Sequence, residues 1–349
     1  MRYGIIGNCK TAALVHESGS IDWCCLPNFD SPSAFAAILD PQGGHFRVSS
    51  VAGGTTHQTY LPQTNILETT FDDGNNTFSV IDFMPRYREG SIYRCPTEIH
   101  RLIRPRKGHP SAKVSFHPNL NYAAGQTEIH LSPPFLLAHD EVEDVYLYSN
   151  LPLVDILEEK PVLIDGDKYL LLTYHEKIVP PNLGYTHEML DKTKEYWEGW
   201  AVHCRLPSVA PEAVLRSALT LKLMTFQDTG AIIAAPTTSL PESLDEGRNW
   251  DYRYCWLRDA SMMLEALKSI GHFEEAKAFI HFLLRIFESR QSQTQIAYGI
   301  DGRTDLKEKE LPHLKGYRNS RPVRIGNRAS QTQQNDIYGQ MLNALYLYY

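Results

Sequence analysis

The stretch Arg248-Asn249-Trp250-Asp251-Tyr252-Arg253-Tyr254-Cys255-Trp256-Leu257-Arg258-Asp259-Ala260 leads directly into an amphipathic segment. It places four aromatic rings, three arginines and two aspartates in one short loop. Aromatic rings offer flat apolar faces for stacking, and an adjacent Arg-Asp pair offers fixed donors and a charged acceptor for hydroxyl groups. Because a carbohydrate needs both kinds of contact, this aromatic loop favours a carbohydrate ligand.

Helical periodicity follows the aromatic loop. The first apolar stripe consists of Ala260, Met263, Leu264, Leu267 and Ile270. Gly271 closes it as a helix C-cap. Similar spacing predicts further helices over about 186–201, 211–226 and 276–287, and a last one that begins at Ile337. The chain from Thr186 to Tyr349 has room for roughly five or six helices with their loops.

The first half of the chain has the period of β-strands. Segments 66–71 and 77–83 flank turn residues, which predicts a hairpin, and segments 161–164 and 169–174 predict a second one in the same way. Further strands are predicted near 97–103, 112–116 and 145–148. Many short strands at this spacing are typical of a β-sandwich.

Three blocks of sequence resemble glycoside hydrolase family 15, which holds glucoamylases, glucodextranases and a microbial trehalase branch. The blocks are residues 232–242 with the aromatic loop, residues 316–327 with 334–339, and residues 5–8, 19–23 and 29–33. The resemblance covers nearly the whole chain. It implies a multi-domain β plus α protein, in which an N-terminal β-sandwich precedes an α/α-barrel of six helical hairpins.

The domain boundaries expected from this resemblance are 1–181 for the sandwich, 182–209 for a linker helix region and 210–349 for the start of the barrel. A six-hairpin barrel needs twelve helices, and the apolar segment at residues 345–349 is unusual for a natural C-terminus. We therefore expect a truncated copy of a longer enzyme, with about half of the barrel.

The resemblance also implies inverting hydrolysis of α-linked glucose. Inverting enzymes hold two carboxyl groups ~6.5–9.5 Å apart, one as acid and one to activate water. The family's acid lies in a Trp-Glu segment after the helix that begins here at Ile337, and its base lies near the C-terminal end. Trp197-Glu198 is the only such dipeptide, and it lies in the linker helix. We expect both catalytic glutamates beyond Tyr349, with Glu310 as the outside candidate within the chain.

The substrate-binding residues of the family have matches in this sequence. Those implied to contact sugar are Trp256, Arg258, Asp259, Arg324, Asn327 and Asp336, the last three by a looser match. The first three match the segment that holds the non-reducing-end glucose. Two alternatives remain open: Arg258 and Asp259 could form a plain ion pair at a helix start, and Trp256 could be a core residue.

The composition of the chain argues against some classes of binding partner. A net charge of -7 argues against nucleic-acid and anionic-membrane partners, which favour basic patches. The six cysteines contain no C-x-x-C pair and are interpreted as buried, reduced thiols of a cytoplasmic protein. No stretch reaches the ~18 apolar residues of a membrane span. Neither a metal nor a cofactor is implied.

We therefore expect a glycosidase whose substrate is an α-glucoside: trehalose, maltose, or a malto- or isomalto-oligosaccharide. The residues do not choose among these sugars, and the oligomeric state is open. The rival hypothesis comes from another class, a non-catalytic sugar-binding remnant or an inactive fragment.

Overall fold

The structure is a computed structural model that describes residues 2–288 and 294–348. The chain divides into two compact units, Met1–Glu198 and Gly199–Tyr349. The first unit is built almost entirely of β-strands, and the second has longer helices joined by loops with short strands. This order of a β-rich part followed by a helical part agrees with the expected fold class.

The first unit has seventeen strands among the described residues. They are β1 (Tyr3–Gly7), β2 (Ala12–His16), β3 (Ser20–Cys25), β4 (Ser33–Phe35), β5 (His45–Ser50), β6 (Thr55–Tyr60), β7 (Leu67–Asp72), β8 (Thr77–Phe83), β9 (Tyr87–Glu89), β10 (Ile92–Arg94), β11 (Glu98–Lys107), β12 (Ser111–His117), β13 (Glu128–Ser132), β14 (Phe135–His139), β15 (Asp144–Ser149), β16 (Val162–Leu163) and β17 (Lys168–Tyr174). The helical segments are α1 (Leu120–Ala123), α2 (Leu153–Leu157) and most of α3 (Leu183–Ala201).

Two large antiparallel sheets form most of the first unit, and β9 and β10 pair in a separate two-stranded sheet. One has the order β1-β2-β3-β5-β12-β16, with β4 beside β3, and the other has the order β13-β14-β15-β17-β11-β8-β7-β6. A single apolar core joins them, with Val48 from the first sheet and Phe78 and Val80 from the second. Ile81 and Phe83 of β8 belong to another cluster, with Met189 of α3. Both faces of β8 are covered, so six of its seven residues are buried, and the arrangement is that of a β-sandwich.

A buried arginine on β11 of the second sheet, Arg101, pairs with Asp82 on the neighbouring strand and hydrogen-bonds to the first sheet. The Arg101 Nε atom lies 2.8 Å from Asp82 Oδ1, and both side chains are fully buried. The same guanidinium donates to the carbonyl oxygens of Phe46 and Gly19, at 2.5 and 2.7 Å. Burial raises the pKa of Asp82, and the charge of Arg101 opposes that rise. Every oxygen that faces Arg101 here is an acceptor, so the charge is compensated.

One of the two predicted hairpins is confirmed and the other is wrong. Strands β7 and β8 pair across a turn in which Asp73 Oδ1 accepts from the amides of Asn75 and Asn76. Strands β16 and β17 do not pair: β16 lies beside β12 in the first sheet, and β17 lies between β15 and β11 in the second. A polar turn between two apolar runs fits a hairpin and a crossing between stacked sheets equally well, so the local pattern cannot separate them.

The second unit contains four further helices among the described residues. They are α4 (Pro211–Leu223), α5 (Leu257–Ser269), α6 (Glu274–Glu288) and α7 (Asp336–Tyr348). The short strands are β18 (Thr238–Pro241), β19 (Asn249–Asp251), β20 (Cys255–Trp256), β21 (Ala297–Tyr298), β22 (Lys309–Glu310) and β23 (Arg324–Ile325). Helix α5 packs against α4, α6 and α7.

The observed ends of the helices lie within three residues of the predicted ones. Pro211 occupies the first turn of α4, where its missing N–H costs no hydrogen bond. Ala260, Leu264 and Leu267 of the α5 stripe are buried, and Gly271 after that helix has a φ of +99°. Counting α3, five longer helices in the described part of the chain agree with the expected five or six. Closure into an α/α-barrel, with half of it present here, stays a prediction.

Among the described residues, no helix is both long enough and apolar enough to cross a membrane.

Candidate sugar-binding site

Short strands position the aromatic loop at the start of α5. Strand β19 pairs with β18, and β20 pairs with β21, so the loop is anchored on both sides. Helix α5 begins at Leu257, directly after Trp256 in extended conformation. Arg258 and Asp259 therefore lie in the first turn of α5, where the helix dipole favours the aspartate.

A buried ion pair fixes the base of the loop. Both nitrogens of one edge of the Arg253 guanidinium contact Asp251, with Nε to Oδ1 at 2.9 Å and Nη2 to Oδ2 at 2.7 Å. Neither side chain has any exposed surface. Asp251 Oδ2 also accepts from the Gly326 amide at 3.1 Å, and the Asp251 carbonyl accepts from Asn327 Nδ2 at 3.1 Å. The pair thus joins the aromatic loop to the segment around residue 326.

Arg258 is held much more loosely than Arg253. Its Nη1 atom lies 3.2 Å from Gln334 Oε1 and 3.4 Å from Asp336 Oδ2, and its Nη2 atom lies 3.5 Å from Asp259 Oδ2. Strong charge-assisted hydrogen bonds are about 2.7–2.9 Å long. The side chains of Arg258, Asp259 and Asp336 are each 40–45% exposed. A half-exposed guanidinium with long contacts between two carboxylates can exchange those contacts for ligand hydroxyls.

The Asp259 carboxylate can accept more hydrogen bonds than it accepts here. Its Oδ2 atom is shielded from solvent yet accepts no hydrogen bond from the described part of the protein. The ion pair at the helix start is therefore present, but at 3.5 Å it is long, and both side chains can form further hydrogen bonds. The structure brings Arg258, Asp259 and Asp336 together, although they are separated by up to 78 residues in the sequence.

Trp256 lies in an apolar cluster beneath these polar groups. It is only 6% exposed and packs with Tyr252, Tyr254 and Ile337. The Tyr252 ring centroid lies 5.7 Å from that of Trp256, and its hydroxyl donates to Glu242 at 2.9 Å. Burial, together with Glu242 and Asp259, raises the pKa of Tyr252 to about 12. Little of Trp256 is accessible here, and its role as a stacking platform stays a prediction.

Arg324 and Asn327 lie in a separate network that shapes the loops. Arg324 donates to the Gly247 carbonyl at 2.9 Å, and its guanidinium carbon lies 4.8 Å above the Trp250 ring. Its side chain is 15% exposed and also contacts Glu310 at 3.3 Å. Asn327 is 3% exposed and caps the short helical turn that follows it, accepting from the Ala329 amide. In the described contacts both residues hold backbone in place, and their implied sugar contacts stay predictions.

Glu310 lies on β22, opposite Arg324 of β23. Its side chain is 60% exposed, which is ordinary for an acidic residue on a polar surface.

Sequence reasoning missed two kinds of residue at this site. The Asp251–Arg253 pair and Tyr252 were within the quoted loop but were not singled out, and Gln334 was quoted only as part of a family block. An acidic and a basic residue at i and i+2, alternating with aromatic residues, is the signal that could have indicated the buried pair. No group of three or more His, Cys, Asp and Glu side chains suited to a metal ion occurs in the described ranges.

Comparison with known proteins assigns both halves of the chain. Residues 208–349 match Glycosyl hydrolases family 15, and residues 1–158 match the domain described as Trehalase-like, N-terminal. The helical part of this chain is a glycosyl hydrolase family 15 domain. The family 15 match includes the whole of the aromatic loop and the segments that contain Arg324, Asn327 and Asp336.

Several proteins that are similar to this chain are named trehalases. The chain is 34% identical to a trehalase of Thermoplasma volcanium over 99% of its own length and 56% of the relative's. It is 35% identical to a trehalase of Mycolicibacterium smegmatis over 99% of the chain and 56% of the relative. Trehalase 2 of Sulfolobus acidocaldarius is 34% identical over the full chain and 60% of its own length. The chain thus spans a little more than half the length of these relatives.

Proposed function

We propose that this chain is part of a trehalase, a glycosidase that hydrolyses trehalose to glucose. In this proposal the chain supplies a binding site for one glucose ring. The names of the similar proteins support trehalose over maltose and isomaltose. The observation that carries the proposal is the polar cluster of Arg258, Asp259 and Asp336, half-exposed and held by long contacts at the start of α5.

The roles follow from the donor and acceptor inventory. Arg258 has no acceptor and donates to sugar hydroxyl oxygens, whereas ionised Asp259 only accepts and so binds hydroxyl hydrogens. A ring carrying adjacent hydroxyls satisfies both residues at once. The Asp251–Arg253 pair beneath them does not touch sugar in this proposal; it keeps the loop in place, and so prevents the polar cluster from collapsing onto itself.

Catalysis by inversion needs one carboxyl group that protonates the glycosidic oxygen and one carboxylate that activates water. That both catalytic glutamates lie outside residues 1–349 stays a prediction, and so does the alternative that Glu310 is one of them. We propose that this chain binds trehalose and releases no glucose from it.

Two measurements on the purified chain test this proposal. Trehalose, maltose, isomaltose and soluble starch are each incubated with the chain and assayed for glucose, and the three disaccharides are titrated into it in a calorimeter. We expect binding of trehalose in preference to the other two and no glucose from any of the four. Glucose release from trehalose would support the assignment as a trehalase and refute the prediction that this chain lacks the catalytic glutamates. Binding or cleavage of maltose in preference to trehalose, or binding of no sugar, would refute the assignment.

A further inference from the structure

A buried arginine in the β unit contacts the sulfur atom of Cys95. Arg86 lies between β8 and β9 and is 1% exposed. Its Nη1 atom donates to the Asn8 carbonyl at 3.0 Å and lies 2.9 Å from Cys95 Sγ. The rings of Tyr93 and Tyr196 cover the guanidinium, with centroids 5.2 and 4.6 Å from its carbon.

The surroundings of Arg86 favour its charged form. Burial lowers the pKa of this arginine, but Cys9, Tyr196 and Cys95 raise it by more, so the net direction is upward. A cation in contact with a sulfur atom and shielded from water is the setting that promotes a thiolate.

Cys95 is more accessible to solvent than most of the other cysteines of the chain. The six cysteines, all within the described residues, form no disulfides, and Cys9, Cys24, Cys25 and Cys255 are buried. Only Cys95 and Cys204 are half-buried, so the interpretation of all six as buried thiols is wrong for these two. A reactive cysteine needs both a positive neighbour and partial exposure, and Cys95 has both.

Cys204 is a natural comparison within the same chain. Its Sγ atom lies 3.0 Å from His272 Nε2, and the His272 ring stacks on Trp200 with centroids 3.7 Å apart. Burial and the nearby Glu275 raise the pKa of Cys204 to about 11. Burial also lowers the pKa of His272, so this imidazole is neutral near pH 7 and supplies no cation. The two half-buried thiols thus have opposite electrostatic environments.

We propose that Cys95 is a nucleophilic modification site, at which the Arg86 guanidinium stabilises the thiolate for attack on small disulfides. The Cys95 sulfur attacks one sulfur of a low-molecular-weight disulfide, a new S–S bond forms as the old one breaks, and the other half leaves as a thiolate. The thiol proton goes to solvent before the attack. This site is independent of the proposed sugar site, since its residues belong to the β unit.

Modification of Cys95 has a structural consequence. Arg86 links the Asn8 loop to helix α3, because its backbone amide donates to Thr193 and its guanidinium stacks on Tyr196. A mixed disulfide removes the negative charge from the sulfur and adds bulk beside the guanidinium. We therefore expect the modified β unit to unfold at a lower temperature than the unmodified one.

Site-resolved alkylation tests the proposal on the unmodified chain. The protein is pulsed with iodoacetamide from pH 6 to pH 11, and peptides containing Cys95 and Cys204 are quantified by mass spectrometry; Cys95→Ser confirms the assignment. We expect Cys95 to react about tenfold or more faster than Cys204 at pH 7.5, with half its limiting rate reached below about pH 8.5, the ordinary value for a free thiol. Equal rates, a faster Cys204, or a half-maximal rate of Cys95 at or above pH 9 would overturn the proposal.

A second arm uses the disulfide itself. Incubation with oxidised glutathione is expected to add one glutathionyl group, on the Cys95 peptide, and none to Cys95→Ser. Attachment to Cys204 instead, or no attachment at all, would overturn the proposal. Because Cys95 and Cys204 are compared within one folded molecule, a folding defect of a variant cannot account for the result.

Discussion

The replacement Asp251→Ala is expected to destabilise the helical unit strongly. The mutation removes the carboxylate that accepts from Arg253 at 2.7 and 2.9 Å and from the Gly326 amide at 3.1 Å, all without solvent exposure. Removing one partner of a buried ion pair costs about 3–5 kcal/mol, because the other charge stays buried and uncompensated. At about 2–4 °C per kcal/mol for a unit of this size, the melting temperature falls by roughly 6–20 °C.

Glu246→Ala is the matched control. Glu246 pairs with Arg248 in the same loop, but both side chains are more than half exposed, so we expect a loss of about 1 kcal/mol or less. Calorimetry gives the melting transitions, and hydrogen exchange in peptides of residues 199–349 assigns the transition of this unit. A shift of less than 2 °C for Asp251→Ala, or equal shifts for the two variants, would show that the buried pair does not hold the loop.

Two further perturbations test particular contacts. Burial and Asp140 raise the pKa of Glu143 to about 7, against hydrogen bonding from Tyr174; a raised carboxyl pKa stabilises the folded state below about pH 4.5, and that stability is lost as the pH rises through 7. Glu143→Gln should therefore flatten the melting temperature between pH 5 and pH 8, and an unchanged slope would contradict the assignment. Gly326→Ala should cost more than about 1 kcal/mol in urea unfolding, because φ is +74° and a Cβ would lie 2.1 Å from the Lys307 carbonyl oxygen. Gly339→Ala, in open space on α7, should stabilise by up to about 1 kcal/mol, and equal effects of the two would refute the strain.

Local patterns predicted most of the elements and failed at long-range partners. Apolar spacing gave the α5 stripe and Gly271 as its cap, since helical periodicity is a property of neighbouring residues. The partner of β17 was wrong because pairing depends on which sheet each strand joins. Alternation identifies a buried face but not the strand beside it.

The positions of candidate-site residues could be predicted where those residues are adjacent in the sequence. Arg258 and Asp259 are neighbours in the chain, so their shared position at the start of α5 follows from the helix start alone. The backbone contacts of Arg324 with residues 247 and 249 join segments more than 70 residues apart, which no local pattern records. Asn327 likewise carries no sequence signal for its bond to the Asp251 carbonyl.

The most direct test of the central claim is calorimetric titration of trehalose into the wild-type chain, Arg258→Gln, Asp259→Asn and the control Arg303→Gln. Arg303 has the same 40% side-chain exposure as Arg258 and pairs with Asp301 in the same unit. Hydrogen bonds to charged groups contribute about 1.5–3 kcal/mol, so we expect each site variant to weaken trehalose binding at least about tenfold. Arg303→Gln should bind as the wild type does. Equal affinities for all four proteins, or weakening by Arg303→Gln alone, would contradict the assignment of sugar binding to Arg258 and Asp259.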